Sequence, residues 1–228
     1  MARPPSDAGT RPDTRERLLD AADRLMWARG YEAVGVAELC AEAGAPRGSF
    51  YHWWPSKQAL AAAMLQRSWQ RVRTEVIVPS FTGPGTLAER IDRYAAVLER
   101  NMAEQQRTNG CVPGCRFGNF AAELANGDPV LRGEVALAFE EMCGLFATAI
   151  EEAIEAGEVP DDVDPRRAAE ALCAHMEGLM ILTKAHHDPS RIRRLATDAR
   201  WLLRLQVDGP VETARPRQPR ARRTGDRP

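Results

Sequence analysis

No stretch of the chain approaches the roughly 18 uncharged apolar residues that a membrane-spanning helix needs, so no membrane partner is expected. Alternating runs of β-branched residues are scarce, which argues against a sheet. Enzyme signatures are missing as well. There is no Gly-x-Ser-x-Gly elbow, His-Glu-x-x-His pair, phosphate loop or Gly-x-Gly-x-x-Gly turn, so neither catalysis nor a cofactor is expected. Met1 to Asp13 has no apolar core and does not read as a signal peptide. The cysteines number five, an odd count that suits reduced cytoplasmic thiols better than a disulfide framework.

A large excess of one charge is lacking too. The 228 residues sum to −1, with residues 1–60 balanced at eight basic and eight acidic side chains. The tail from Ala214 has six arginines against Asp226, net +5, which leaves −6 for residues 61–213. Such a chain is no general polyanion binder. If nucleic acid is the partner, contact must come from a small patch doubled by oligomerisation. What is present is an apolar fraction of 44%, enough for one large or two small domains and too much for a disordered chain.

Ala, Leu, Glu and Arg at helical spacing predict an all-α fold of about nine helices. A first helix spans about Thr14 to Arg29, with Asp13 and Glu16 as a capping box and Gly30 as its stop. Short helices follow at about Val36 to Ala43 and from Pro46 to Trp54, separated by Gly44. Ser56 caps a long helix that Pro79 is expected to end, and Thr86 with Glu89 caps the next, to about Arg107. A Gly/Cys loop leads into a helix from Phe117 to Ala125. Three Asp-Pro pairs, at Asp128, Asp164 and Asp188, then open helices reaching about Ala156, Ala185 and Val207. The expected organisation is a disordered arm (1–11), a first block of mostly short helices (12–72), a C-terminal helical domain (73–209) and a disordered basic tail (210–228).

The two short helices joined by Gly44 have the pattern of a helix-turn-helix, about residues 35–54, whose second helix enters a major groove. Val36, Leu39, Phe50 and Trp54 are spaced to pack on the first helix. Arg47, Ser49, Tyr51, His52 and Trp53 are left on the outer side, offering donors to phosphates and base edges. Aromatics at adjacent helical positions fan about 100° apart and cannot all face one core. Lys57 opposes the dipole of its own helix, which makes sense if a phosphate neutralises it.

The run Thr14-Arg15-Glu16-Arg17-Leu18-Leu19-Asp20-Ala21-Ala22, then Gly30-Tyr31, then Val36 to Gly44, then Gly48-Ser49-Phe50-Tyr51-His52-Trp53-Trp54-Pro55-Ser56-Lys57, resembles the DNA-binding domain of the tetracycline-repressor (TetR) family. The resemblance implies phosphate contacts from Tyr51 and Lys57 and backbone or base contacts around Arg47, Ser49 and His52. Two positions depart from the pattern. Gly35 offers only an amide where a capping hydroxyl is usual, and Trp53 offers a single N–H donor. By the same resemblance the remaining helices bind a small-molecule effector and form a homodimer through the last two. The chain is then a regulator, most often a repressor, released from a palindromic operator of double-stranded DNA by its ligand.

Two apolar stripes support the dimer: Ala168, Leu172, His175, Met176, Leu179, Met180 and Thr183, then Ile192, Leu195, Ala199, Leu202, Leu203 and Leu205. Candidate pocket residues are Trp69, Leu98, Met102, Cys115, Phe117, Phe120, Met142, Phe146, His175, Met176 and Leu179, each equally readable as core. The segment Gly114-Cys115…Gly118-Asn119…Glu123-Leu124 resembles a subgroup whose members include regulators responding to electrophiles, oxidants or small unsaturated acids. On that reading Cys115, with Cys111, is a sensor thiol activated by the helix start beside it and by Arg116; the alternative is a small buried hydrophobe in a tight turn. A helical dimer that binds ligand without specific DNA recognition is the remaining alternative. A zinc site from Cys111, Cys115 and His175 has little to recommend it, and no metal is expected.

Overall fold

The computed structural model describes residues 13–124 and 126–205; the expected N-terminal arm and basic tail lie outside the described residues. Among the described residues every element is helical. Helices α1 (Thr14–Arg29), α2 (Val36–Glu42) and α3 (Arg47–Trp53) form a compact head. Asp13 precedes α1 but makes no side-chain cap, contrary to the capping box read from the sequence. The Glu16 carboxylate turns to Arg15 and Arg67 instead, where two guanidinium groups outcompete one backbone amide. Between α2 and α3, Gly44 takes φ +57, the left-handed turn that glycine adopts without a steric penalty. Leu18, Ala22, Met26, Val34, Leu39 and Phe50 close the head's core.

Helix α4 (Lys57–Arg71) starts under Ser56, whose Oγ accepts from Ala59 N at 3.0 Å. It does not stop at Pro79. A π-helical stretch (Val72–Ile77) carries it into α5 (Val78–Phe81), so one rod runs from the head into the second half. A proline in regular helix clashes with the carbonyl four residues back, and a wider π turn ahead of Pro79 relieves that clash.

In the second half, α6 (Leu87–Asn109) has the full Thr86–Glu89 capping box, and α7 (Arg116–Leu124) begins one residue before expectation. Helices α8 (Pro129–Glu155) and α9 (Pro165–His186) are capped by Asp128 and Asp164 as the Asp-Pro pairs predict. The third pair differs. Asp188 starts a 3₁₀ segment (Pro189–Arg193) that becomes α10 (Arg194–Leu202), five residues short of the expected end. Helix α8 is the hub, packed against α4, α7 and α9, while α1 packs on α4. Counting unbroken rods gives nine among the described residues.

Candidate nucleic-acid interface and cavity

Helix α3 divides its side chains as its period demands. Phe50 is fully buried and Trp54 nearly so, whereas Arg47, Tyr51, His52 and Trp53 are exposed and Ser49 is half-buried. Tyr51 is 62% exposed, held only edge-on by Phe50 at 5.2 Å, so its hydroxyl is available to a partner. His52 and Trp53 meet edge to face at 4.8 Å. Gly35 caps α2 through its backbone alone, as the missing hydroxyl implied.

Lys57 departs from the simple picture of an ammonium waiting for phosphate. Its Nζ donates to the carbonyls of Tyr31 (3.2 Å) and Val34 (3.4 Å) and stands 4.0 Å over the Tyr31 ring. These carbonyls and the ring face offset the unfavourable helix start within the folded chain itself. Two of the three ammonium protons are used and one remains for an outside acceptor.

Between α1, α4, α6 and α9 lies a cavity of about 530 Å³. Of the residues read from the sequence as its lining, Leu98, Met102, Cys115, Phe117, Met142 and Met176 are there. The other five are placed elsewhere, because each finds a better partner. Trp69 donates to Glu141 at 2.6 Å and faces a separate groove between α1, α4 and α8. Phe120 sits against Tyr31, Phe146 is wedged between Phe81 and Tyr94, and Leu179 belongs to the packed core. His175 pairs with Asp198 of α10 at 3.0 Å. No cluster with metal-holding geometry occurs among the described residues.

Sequence reasoning missed Asp23, Trp27, Tyr94, Arg116 and Met180 of the lining. Trp27 was the available signal, since it stands off the buried stripe of α1. Its Nε1 donates to Gly114 O at 3.1 Å. Arg116 reaches Asp23 at 2.9 Å, both side chains largely buried, and lies 4.3 Å from the Trp27 ring. Burial pulls the Arg116 guanidinium below its usual pKa, and Asp23 pulls it back up. Asp23 also accepts from Ser68 Oγ at 2.8 Å. Tyr94 donates to Met176 Sδ at 3.1 Å from a fully enclosed position.

Cys115 has two readings from the sequence, a sensor thiol or a small buried hydrophobe. The Gly118 amide does approach its sulfur, at 3.4 Å, as a helix start should. Burial, and then the Glu177 carboxyl beside it, nevertheless push the thiol well above its ordinary 9.0. Arg116 pairs with Asp23, and its charge does not offset the burial of the thiol. Burial raises Glu177 in turn, so neither group readily ionises beside the other. The consequence is measurable. Iodoacetamide should label Cys115 of the folded protein slowly at pH 7 and still slowly at pH 9, while urea-unfolded chain labels readily at pH 9. The sign follows from the raised folded pKa: any stability the buried thiol gives is intact below pH 9.0 and declines above it.

An exposed aromatic and cationic helix held by a helix-turn-helix, on a head joined by one rod to a hollow helical domain, defines a DNA-binding protein of the sensor type. The family models agree. "Bacterial regulatory proteins, tetR family" matches residues 18–64 and "Tetracyclin repressor-like, C-terminal domain" matches 88–199. The chain belongs to the TetR family of bacterial regulatory proteins and is a transcriptional regulator. Among curated relatives, the HTH-type transcriptional repressor DhaR of Mycobacterium sp. (strain GP1) is 27% identical over 190 residues, 82% of this chain and 90% of that one. The repressor NemR of Escherichia coli (strain K12) is 30% identical over 142 residues, 62% of this chain and 69% of its own length. The crystal structure of reduced E. coli NemR superposes with a TM-score of 0.70 at 25% identity, covering 84% of this chain and 97% of that one. A TetR-family regulator from Agrobacterium tumefaciens, at 0.75 and 21% identity over 85% and 98% of the two chains, shows the same fold.

Proposed function

We propose that the protein is a cytoplasmic repressor that grips a two-fold symmetric operator as a homodimer and lets go when a small molecule enters the cavity. The observation that carries the reading is the outward presentation of Arg47, Tyr51 and His52 on α3 with Lys57 beside them. DhaR and NemR, both described as repressors, support the sign of regulation. The cavity suits a ligand apolar over most of its surface, since methionines and Phe117 line it, with an acceptor group for Arg116. A ligand that separates Arg116 from Asp23 loosens the head from the domain below it. The raised thiol pKa of Cys115 favours such occupancy over thiol chemistry. The test is a binding titration with DNA from upstream of its own gene. Tight binding there and weak binding to scrambled DNA is the expected result; equal binding to both is the refutation.

The dimer is expected on the outer faces of α9 and α10, although not through the stripes read from the sequence. Leu172, Met176, Leu179, Met180 and Thr183 are buried inside the subunit. Left outside are Ile181, Leu182 and Trp201, the last 82% exposed. Large apolar side chains on adjacent helices suit an isologous contact, where each residue meets its own copy's face. Trp201→Ala should weaken self-association by about tenfold, taking only part of the usual loss for an interfacial tryptophan, as sedimentation at micromolar concentrations will show.

A further inference from the structure

Helix α7 touches two places that matter. Its first turn, with Cys115 just ahead of Arg116 and Phe117, lines the cavity. Its last turn carries Glu123, a residue on which the proposed DNA contacts make no demand. The two oxygens of Glu123 accept from two successive backbone amides of the loop after α1, Tyr31 N at 2.9 Å and Glu32 N at 2.7 Å. Between the two turns, Phe120 sets its ring 6.3 Å from that of Tyr31.

The Glu32 N–H and the Tyr31 carbonyl belong to one planar peptide unit, so holding the first sets the direction of the second. That carbonyl is one of the two that hold Lys57 Nζ. Glu123 therefore grips one side of a peptide plane while Lys57 is gripped by the other, and each hydrogen bond polarises the next. Gly30 makes the approach possible. Its φ is +92, and a Cβ there would stand 2.9 Å from Glu123 Oε2.

We infer that Glu123 is a positioning residue for Lys57, and that α7 is the element through which the state of the cavity reaches this phosphate-contacting ammonium. The inference rests on the reading of Lys57 as a DNA contact. With Glu123 in place, the lysine presents its third proton from a fixed spot. Without it, the Tyr31–Val34 loop is released at one end and the ammonium must be ordered anew on binding. Ordering a long side chain in this way corresponds to a loss of about 2- to 12-fold in affinity for each subunit of the dimer.

The experiment is a double-mutant cycle on upstream operator DNA, measured by fluorescence anisotropy across a salt series, with thermal melts of every variant. Lys57→Ala should lower affinity and flatten the salt slope by about 2 for the dimer, one phosphate per subunit. Glu123→Ala should lower affinity and flatten the slope in the same direction, Glu123→Gln should lose less because its amide oxygen still accepts one N–H, and the double variant should bind no worse than Lys57→Ala. Losses that multiply in the double variant, beside a clear loss in Lys57→Ala, overturn the role of Glu123 and leave the lysine contact standing. A Lys57→Ala variant indistinguishable from the parent in affinity and slope removes the contact itself, and the inference with it. Should Glu123→Ala melt early, Glu123→Gln carries the cycle alone.

Discussion

Tyr51→Ala is expected to bind the operator about 30-fold more weakly than the parent while melting at the same temperature. The side chain is exposed and touches only the edge of Phe50, so its removal opens no cavity and the head's core is undisturbed. What is lost is one hydroxyl donor to a phosphate oxygen in each half-site. A typical hydrogen bond contributes about 1 kcal/mol net, so two copies give about 2 kcal/mol and the factor of about 30. Tyr51→Phe separates the hydroxyl from the ring. It should fall close to Tyr51→Ala if the hydrogen bond dominates, and close to the parent if the contact is apolar stacking on sugar.

Asp23→Ala is expected to be the most destabilising of the variants considered, by about 3 kcal/mol, the low end for breaking a buried ion pair by removing one partner. Asp23 lies on α1 and Arg116 on α7, with side-chain exposures of 15% and 11%. Removal leaves the guanidinium enclosed against Trp27 with no carboxylate, and leaves Ser68 Oγ only the weak sulfur acceptor of Met64. For a chain of this size the melting temperature should drop by about 6–12 °C. A calorimetric scan of Asp23→Ala beside Asp23→Asn checks it. The amide keeps an acceptor for Ser68 but no charge, so it should recover only part of the loss. Because the ligand is proposed to act by separating this pair, the same variant should show a smaller effect of ligand on DNA affinity than the parent does.

Much of the fold is legible in the chain because its punctuation is local. Gly44, Ser56, Thr86 with Glu89, Asp128 and Asp164 act within one helical turn of themselves, and such effects need no knowledge of tertiary neighbours. The misreadings share a cause. The Glu16 half of the expected box at α1 is lost because Arg67 draws the carboxylate away, and the helix passes Pro79 because a π turn absorbs the clash. Both depend on groups far along the chain or on backbone geometry with no sequence signature.

The DNA-facing residues are readable for the same local reason, since a seven-residue helix fixes which of Phe50, Tyr51, His52 and Trp53 can be buried together. The cavity is only half readable. Methionine and phenylalanine at helical spacing look alike whether they line a space or fill it, and Phe120, Phe146 and Leu179 fill it. Cys115 shows the limit of reading charge from proximity in sequence. The adjacent arginine pairs with Asp23, while burial, and then Glu177 sixty-two positions along, raise the thiol. Glu123 was visible only as part of a resemblance, because its partners are the amides of a loop ninety residues earlier.

The central claim, that paired α3 helices read duplex DNA from the two halves of a symmetric dimer, is tested most directly by hydroxyl-radical footprinting of the purified protein on its own upstream DNA. Two protected patches related by a two-fold axis, with centres about one helical turn or a multiple of about 34–36 Å apart and weakened together by Tyr51→Ala, are the expected outcome. A single patch without symmetry, or a footprint that Tyr51→Ala leaves intact, contradicts it.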